Sequence, residues 1–475
     1  KIKLQNNKKK VKWTVTSGKK NVTLSQKKKT GVTIKGKKAG KAKVQAKIGK
    51  KKYVCKVTVK NPKKTQDFTA KSTAAPTGST GATAGTKPDR STPTPQPTAT
   101  PTTKPTATPS PTASTEEPAE GPSEDSEDAK NLKKLIAKQR EAGATVSEDL
   151  QSEQYMWDGD YLTGISWNEM ELTGTLELDC FDHLEKVWCG YNQLTELDVT
   201  KCPSLESLRC YDNQLSELDV MKCPSLESLR CYDNQLSELD VTKCPSLKYL
   251  DCGGNQLSEL DVTKCASLLV LDCRDNQLSE LEVTKCPSLE RLSCGGNQLS
   301  KLDVSKCPSL EELFCSGNQL SELEVTKCPS LERLGCNENQ LSELEVTKCP
   351  SLEELGCNEN QLSELDVTKC PSLEDLSCDS NQLSELDVSK CPSLKYLSCG
   401  SNQLSELDVT KCASLLVLDC RNNQLSELDV TKCASLESLW CYGNQLSELN
   451  LTNNKKLDGL HCDDTVTVIG YTKTE

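Results

Sequence analysis

Hydrophobic positions in the C-terminal part of the chain recur every 21 residues from Leu184 onward. The Asn-Gln-Leu triplet recurs thirteen times in this segment, from Asn192 to Asn444. One unit contains Leu205-x-x-Leu208-x-Cys210-x-x-Asn213-Gln214-Leu215, then Leu218, Val220 and Cys223. A single unit cannot bury these apolar side chains by itself, so neighbouring units must stack. The fixed period therefore predicts a solenoid.

Each unit contains one short alternating run that predicts a β-strand. Leu208 and Cys210 are separated by a polar residue, so both point inward, while Ser207, Arg209 and Tyr211 point outward. We expect parallel strands stacked in register, about 4.8 Å apart. A degenerate unit precedes the array and another follows it, at Leu162, Ile165, Trp167 and Leu172 and at Leu457, Leu460 and Cys462.

The rest of the chain has a different pattern. Residues 1–60 alternate apolar and polar positions in short runs, which predicts antiparallel strands. Residues 61–126 have almost no large apolar side chains, and we expect a disordered Thr/Pro-rich linker. Residues 127–183 are predicted to form an N-terminal cap from a helix, a hairpin with an Asp-Gly turn and the degenerate repeat. The repeats proper then occupy residues 184–462, followed by a C-terminal cap at residues 463–475.

At the Leu-x-x-Leu-x-Cys and Asn-Gln-Leu positions, the chain resembles the leucine-rich repeat family over roughly residues 162–470. The 21-residue unit with its strand cysteine looks most like the internalins, which are bacterial surface proteins. The resemblance implies a parallel-strand horseshoe with its strands on the concave side. It also implies a column of asparagines that hydrogen-bond the backbone of adjacent coils, and a role in adhesion.

The N-terminal strands resemble the group 2 bacterial immunoglobulin-like domain. The matching features are the Trp13 strand, the Gly31-Val32-Thr33-Ile34 strand, residues 38–44 and Val57-Thr58-Val59. The resemblance implies an all-β sandwich over residues 1–60, and we expect it to be truncated because the family's first strand has no counterpart. The expected fold class is therefore multidomain, a β-rich leucine-rich repeat solenoid preceded by an immunoglobulin-like sandwich.

The net charge of −11 is the sum of two opposed contributions. Residues 1–64 hold 24 lysines and no acidic residue, which leaves 34 basic and 69 acidic side chains in the remaining chain, a balance of 34 − 69 = −35. A lysine-rich surface without acids attracts polyanions. We expect an anionic cell-wall polymer as its partner, or a solvated surface without a partner. Nucleic acid is disfavoured because no arginine- or aromatic-rich face accompanies the lysines.

The composition argues against catalysis. The chain has only two histidines, His183 and His461, although acid–base catalysis and many metal sites depend on histidine. The carboxylates equivalent to Glu217 and Asp219 recur in nearly every unit, whereas a catalytic pair is a unique site. We therefore expect no enzyme activity, no cofactor and no metal, and a solvated rim on which lysines compensate the acids. No apolar run approaches the roughly 20 residues of a membrane span.

The 28 cysteines fall into two columns. Fourteen lie at 21-residue steps from Cys189 to Cys462 and twelve from Cys202 to Cys433, which leaves Cys55 and Cys180. Stacked strands hold equivalent side chains about 4.8 Å apart, whereas a disulfide needs Cβ atoms about 3.8 Å apart. Free, buried thiols that act as small hydrophobic side chains are therefore favoured.

Ligand binding in a repeat array depends on the positions that vary, which here are the outward strand residues. Aromatic and arginine side chains are enriched in binding sites and suit sugar stacking. We predict a ligand-binding concave face, with the N-terminal aromatic and arginine residues as its first site. The candidate residues are Trp188, Arg209, Tyr211, Arg230, Tyr232, Tyr249, Phe314, Trp440 and Tyr442.

The favoured function is a bacterial cell-surface or secreted binding protein whose partner is a host or bacterial surface protein or a glycan. Because the chain starts at Lys1, we interpret it as a fragment or mature form. One alternative is a structural envelope scaffold without a specific partner, and another is the noncatalytic part of a larger exported enzyme. Near-identity of units that are 147 residues apart, beginning at Leu247 and Leu394, also allows neutral variation after duplication.

Overall fold

The chain divides into two compact units, Lys1–Pro111 and Thr112–Glu475. The computed structural model describes residues 122–471 completely, and within residues 1–121 it describes the backbone of six strands. These strands are β1 (Ile2–Lys3), β2 (Lys12–Ser17), β3 (Val22–Lys28), β4 (Gly31–Gly36), β5 (Gly40–Ile48) and β6 (Lys51–Val59). The immunoglobulin-like sandwich stays a prediction because the side chains of these strands lie outside the described residues. Residues 61–121 of the predicted linker also lie outside them.

The six N-terminal strands form two antiparallel sheets. One sheet has the order β1-β4-β3 and the other β2-β5-β6. The sequence predicts strands at residues 11–15, 31–34, 43–48 and 53–59, and the structure has β2, β4, β5 and β6 at these places.

The second unit begins with the helix α1 (Glu127–Glu141). The Ser126 hydroxyl accepts a hydrogen bond from the Ala129 amide and caps the first turn. Acidic residues in the first turn and basic residues in the last turn complement the helix dipole. One face of α1 is buried through Leu132, Leu135 and Ile136, the stripe that the sequence predicts. The helix thereby covers apolar side chains at the N-terminal end of the stack.

The next strands start the solenoid. The strands β7 (Tyr155–Asp158) and β8 (Tyr161–Ser166) form an antiparallel hairpin, whose turn contains Gly159 in the left-handed region. The strands that follow are β9 (Thr173–Glu177), β10 (Lys186–Trp188) and β11 (Gln193–Asp198). From β8 onward the strands of the long sheet pair in parallel, and β9 pairs with β11 in a separate two-stranded sheet.

Twelve regular coils each contribute one three-residue strand to the long sheet. These strands are β12 (Ser207–Arg209), β13 (Ser228–Arg230), β14 (Tyr249–Asp251), β15 (Val270–Asp272), β16 (Arg291–Ser293), β17 (Glu312–Phe314), β18 (Arg333–Gly335), β19 (Glu354–Gly356), β20 (Asp375–Ser377), β21 (Tyr396–Ser398), β22 (Val417–Asp419) and β23 (Ser438–Trp440). The array closes with β24 (Glu448–Asn450), β25 (Gly459–His461) and β26 (Thr467–Ile469). The long sheet has sixteen strands, from β7 at one edge to β25 at the other. The predicted parallel-strand solenoid is confirmed.

The core of the solenoid is aliphatic and repeats with the coils. In the unit at Leu205 the side chains of Leu205, Leu208, Cys210, Leu215 and Val220 are fully buried, and their equivalents follow in every regular coil. Strands pair in exact register, so that each central leucine lies beside the next. The core is therefore a set of identical side chains stacked along one axis.

The asparagine column joins successive coils. The Asn297 amide oxygen accepts a hydrogen bond from the Leu278 amide of the preceding coil, at 2.9 Å. Its amide nitrogen donates to the carbonyls of Cys273 in the preceding coil and of Cys294 and Gly295 in its own coil, at 3.0–3.1 Å. Asn213 through Asn423 make the same set of contacts. The role that the family resemblance implies for this column is confirmed.

All cysteines whose side chains the structure describes are free thiols, and in the two columns only Cys462 is not buried. In the column from Cys202 to Cys433, each thiol approaches a backbone carbonyl one coil back, that of Leu178 for Cys202 and that of a valine for the others, as between Cys223 Sγ and the Val199 oxygen at 3.5 Å. Burial raises the pKa of Cys223 to about 11 and that of Cys189 to about 12. The thiols of the columns are therefore protonated at neutral pH and act as small core side chains.

Replacing a ladder asparagine should destabilise the whole array. The Asn297→Ala change leaves the Leu278 amide without its acceptor and the Cys273 carbonyl with one donor, Asn276, instead of two. We expect a loss of about 2–4 kcal/mol in the free energy of unfolding, measured by urea denaturation. The adjacent Gln298 is exposed, and Gln298→Ala should stay within about 0.5 kcal/mol of the unaltered chain. Equal effects of the two changes would contradict the role of the ladder.

The cysteine columns predict how thiol reactivity and stability depend on pH. With Cys55→Ser in the full chain, a thiol reagent should label Cys180 rapidly in the native state and the buried column thiols only after unfolding in urea. Burial raises the folded-state pKa of the column thiols above the ordinary value of 9.0. Their contribution to stability is thus complete below about pH 9 and is lost as the pH rises towards 11 to 12. Urea midpoints measured from pH 7 to 11 should fall above pH 9, and a flat profile would contradict this assignment.

Candidate ligand-binding face

The long sheet presents three outward positions per coil. In β12 the central Leu208 is fully buried, whereas Ser207 and Arg209 on either side of it are partly exposed. Tyr211, two residues after the strand, is also partly exposed. We call the surface formed by these three positions, from β10 to β25, the strand face. Its side chains form three columns because the strands are in register.

The structure places all nine candidate residues on the strand face. Arg230, Tyr249 and Phe314 are exposed, and the other six are half-buried. Five of them come together on neighbouring strands β10, β12 and β13 and directly after them. We call this group the aromatic–arginine cluster, and it consists of Trp188, Arg209, Tyr211, Arg230 and Tyr232.

Ring stacking holds the aromatic–arginine cluster together. The Arg209 guanidinium lies over the Trp188 ring, with 4.6 Å between Cζ and the ring centroid. The rings of Tyr211 and Tyr232 are parallel, with 4.6 Å between centroids. Tyr191 packs edge-on against Tyr211 at 5.1 Å between centroids. The cluster is therefore a preformed surface of rings.

Gly190 makes room for this arrangement. It occupies the same position in its coil as Tyr211 occupies in the next one. A Cβ atom at residue 190 would lie 2.6 Å from the Tyr211 ring. A larger side chain there would displace the Tyr211 ring from its present position.

The arginines of the cluster differ from the other arginines of the strand face in their partners. Arg274, Arg291, Arg333 and Arg421 each form an ion pair, for example between Arg333 Nη1 and Glu312 Oε1 at 2.7 Å. Within residues 122–471, Arg209 and Arg230 form no ion pair. The Arg209 Nε is also buried without a hydrogen-bond acceptor. Their donors remain available to an anionic group on a ligand.

The tyrosines of the cluster also keep their hydroxyl protons. Burial raises the pKa of Tyr211, and the neighbouring Tyr191 raises it further. Burial likewise raises the pKa of Tyr232, followed by the effect of Tyr191. Both hydroxyls are thus hydrogen-bond donors throughout the neutral range.

The remaining candidates lie apart from the cluster. Phe314 is on β17, and its ring packs against Gly335. A Cβ atom at residue 335 would lie 2.9 Å from the Phe314 ring. Trp440 is on β23 and stacks on His461 with 5.5 Å between ring centroids. Tyr249 is on β14, in the column of Ser207 rather than that of Arg209. The sequence-based set of candidates is therefore distributed over at least three places on the face.

Sequence reasoning missed Tyr191 as a member of the ring surface. Tyr191 lies in the turn and not at one of the three outward positions that define the candidates. The available signal was an aromatic residue directly after Gly190, at a place where the next coils have Asp212 and Asp233.

The repeated carboxylates have a local structural role. The Asp240 side chain accepts hydrogen bonds from the Thr242 amide and hydroxyl, at 2.9 and 2.6 Å. These bonds hold the pKa of Asp240 below its usual value, with a smaller contribution from Lys243. The predicted compensation by lysine is thus secondary to a turn closed by the aspartate itself. Lys301 replaces the usual glutamate and pairs with Glu322 of the next coil, at 2.9 Å.

Within the described part of the chain, we find no helix with the length and apolar character that crossing a bilayer requires.

Comparison with known proteins identifies the repeats. The family model described as leucine-rich repeats (2 copies) matches residues 224–264, 287–328 and 308–348. A search of curated proteins found no match.

Several solved structures share the fold of the second unit. The functional domain of InlJ from Listeria monocytogenes, described as including a cysteine ladder, is 33% identical with a TM-score of 0.61. The match covers 65% of this chain and 68% of the InlJ domain. A leucine-rich repeat protein of Leptospira interrogans is 26% identical with a TM-score of 0.55, covering 59% of this chain and 78% of that one. YopM, a leucine-rich effector protein of Yersinia pestis, is 29% identical with a TM-score of 0.52, covering 65% and 88%.

Proposed function

Because this chain belongs to the leucine-rich repeat family and has a cysteine ladder like that of InlJ, we propose that it is a binding protein. Its strand face presents the aromatic–arginine cluster to a host or bacterial surface protein or to a glycan. The site of action is extracellular, at the bacterial surface or after secretion. The adhesion role is the one that the resemblance to the internalins implies.

The observation that carries this proposal is the pair of arginines without ion partners beside a preformed ring surface. Arg209 stacks on Trp188 and has a buried Nε without an acceptor, while Tyr211 and Tyr232 form the adjoining stacked pair. An arginine without an ion partner can donate charge-assisted hydrogen bonds from its terminal nitrogens to an anionic group of a ligand. Tyrosine, tryptophan and arginine are also the residues that dominate the energy of protein interfaces.

These features indicate the chemistry of the ligand. A carboxylate or sulfate on the ligand would accept hydrogen bonds from Arg209 and Arg230, and a flat apolar portion would cover the tyrosine rings. Acidic protein loops and acidic glycans both carry this combination. Positively charged ligands are disfavoured because the two arginines would repel them.

The two alternative functions, a structural envelope scaffold and the noncatalytic part of a larger enzyme, make different demands on the strand face. A structural scaffold without a partner needs no unpaired charge on this surface, and the unpaired Arg209 and Arg230 disfavour it. The noncatalytic part of a larger exported enzyme would also present a binding face, so the strand face does not distinguish this alternative from a separate binding protein. The carboxylates that recur in each coil serve their turns, as between Asp240 and Thr242, and supply no unique acid–base pair.

We further propose that the lysine-rich residues 1–64 bind an anionic cell-wall polymer, on the basis of their 24 lysines and lack of acidic residues. The full chain should then sediment with isolated bacterial walls at low salt and be released as salt rises, because ions screen the attraction. A chain that begins at residue 65 provides the control. Equal sedimentation of the two proteins would contradict this proposal.

The aromatic–arginine cluster can be tested with a triple variant, Trp188→Ala, Tyr211→Ala and Tyr232→Ala. Each ring is expected to contribute about 2 kcal/mol to binding, so affinity for a partner found on a glycan and host-protein array should fall more than about 100-fold. The thermal midpoint should fall by only a few degrees because the rings lie outside the leucine and cysteine core. Met221→Ala removes an exposed apolar side chain outside the strand face and should leave binding unchanged. An unaltered affinity of the triple variant would remove the cluster from the site.

A further inference from the structure

Two segments of the array are near copies of each other. Residues 247–281 and residues 394–428 differ only at positions 251/398, 254/401 and 275/422. In each segment the strand face carries a tyrosine, then a valine, an aspartate and an arginine from the next coil. We call these sets the tyrosine–aspartate modules. The first consists of Tyr249, Val270, Asp272 and Arg274, and the second of Tyr396, Val417, Asp419 and Arg421.

The two modules have the same arrangement in the sheet. Tyr249 lies directly beside Val270 in the sheet, and Tyr396 lies beside Val417. The tyrosine side chains are 43% and 44% exposed, respectively. None of the three differences between the copies changes a residue of a module.

An aspartate–arginine pair stands next to each tyrosine and valine. In the first module the Arg274 amide donates to Asp272 Oδ1 at 3.1 Å, and Arg274 Nη2 lies 3.0 Å from Asp272 Oδ2. In the second module the Arg421 amide donates to Asp419 Oδ1 at 3.1 Å, and Arg421 Nε lies 3.4 Å from Asp419 Oδ2. The arginine side chains remain more exposed than the aspartates.

The surroundings of the modules differ: Asp251 lies beside Asp272 in the sheet, whereas Ser398 lies beside Asp419. Arg230 and Tyr232 precede the first module, whereas Ser377 and Asp379 precede the second. Trp440 follows the second module and lines, with Tyr396 and Asp419, a concavity of about 360 Å³. The same four residue types therefore recur in two different settings.

The chemistry of a module fits a neutral sugar ring. The tyrosine ring and the valine side chain offer a flat apolar surface to the C–H face of a pyranose. The aspartate accepts and the arginine donates hydrogen bonds, which suits neighbouring hydroxyl groups that do both. The two charges of the pair cancel, and Asp375 adds negative charge to the concavity of the second module, so an acidic ligand is disfavoured. A few polar groups beside an apolar floor are typical of small-ligand sites.

The separation of the modules indicates a ligand with repeating units. The strands β14 and β21 are seven positions apart in the sheet, which corresponds to about 34 Å at the usual strand spacing. A polymer that repeats one chemical unit can occupy both modules, and the second contact then becomes intramolecular. We propose that the two tyrosine–aspartate modules bind one neutral polysaccharide chain at two points. This proposal rests on the binding role of the strand face but not on the aromatic–arginine cluster.

The proposal can be tested on the full chain with soluble neutral glucans, mannans, galactans and xylans, and with their disaccharides. The unaltered protein should bind at least one of these polymers more tightly than acidic polysaccharides. Tyr249→Ala and Tyr396→Ala should each lower the affinity for that polymer at least tenfold, because one of two linked contacts is lost. In titration calorimetry the matching disaccharide, which cannot span the modules, should occupy two sites per chain and only one in either variant.

Two further variants distinguish this proposal from others. Met221→Ala removes an exposed apolar side chain outside the strand face and should leave polymer binding unchanged. The triple variant of the aromatic–arginine cluster should also retain it, even where that variant loses its own partner. Binding to none of the neutral polymers, unchanged affinity in the single tyrosine variants, or an equal loss in Met221→Ala would overturn the proposal. Thermal midpoints close to that of the unaltered chain show that the variants are folded.

Discussion

The amide side chain of one asparagine per coil is the interaction on which the rest of the solenoid depends. The Asn297 side chain binds a backbone amide and a carbonyl in the coil before it and two carbonyls in its own turn. The turn that follows each strand therefore cannot change without disturbing its neighbour. Because these contacts recur every 21 residues, they set the register of the strands and the alignment of the three columns on the strand face.

The period, the core and the asparagine column could be predicted from the sequence because each rests on the local alternation of side chains and its repetition. Leu208 and Cys210 are buried as the alternation indicates, and Asn213 binds adjacent coils as the family resemblance implies. The details of the strand face were not accessible in the same way. Neither the position of Arg209 over Trp188 nor the contact of Tyr191 with Tyr211 follows from one unit. Each depends on side-chain rotamers that neighbouring coils select together across 21 residues of sequence.

The ion pairs of the strand-face arginines could not be predicted from the sequence either. Six arginines lie on the strand face, and the sequence alone gives no reason to distinguish among them. Glu312 lies between Arg291 and Arg333 and binds both, while Arg274 and Arg421 pair with aspartates of their own coils. Within the described residues, Arg209 and Arg230 form no ion pair, although Asp251 lies beside Arg230 in the register of the sheet. The repeated aspartates also look like a surface charge pattern in the sequence, although Asp240 is bound to its own turn. Whether a charge is available to a ligand therefore depends on side-chain geometry, both within a coil and between coils.

The in-register stacking also limits how this array can change in evolution. Gain or loss of whole 21-residue coils preserves every ladder bond, while an insertion in the turn after a strand breaks the contacts of an asparagine such as Asn297 with the coil before it. A patch on the strand face is thus copied as a rigid unit. The distance between two copies, such as Tyr249 and Tyr396, is confined to whole multiples of the strand spacing. The backbone thus sets the possible separations of two binding patches, and recombination can change such a separation only in steps of one strand spacing.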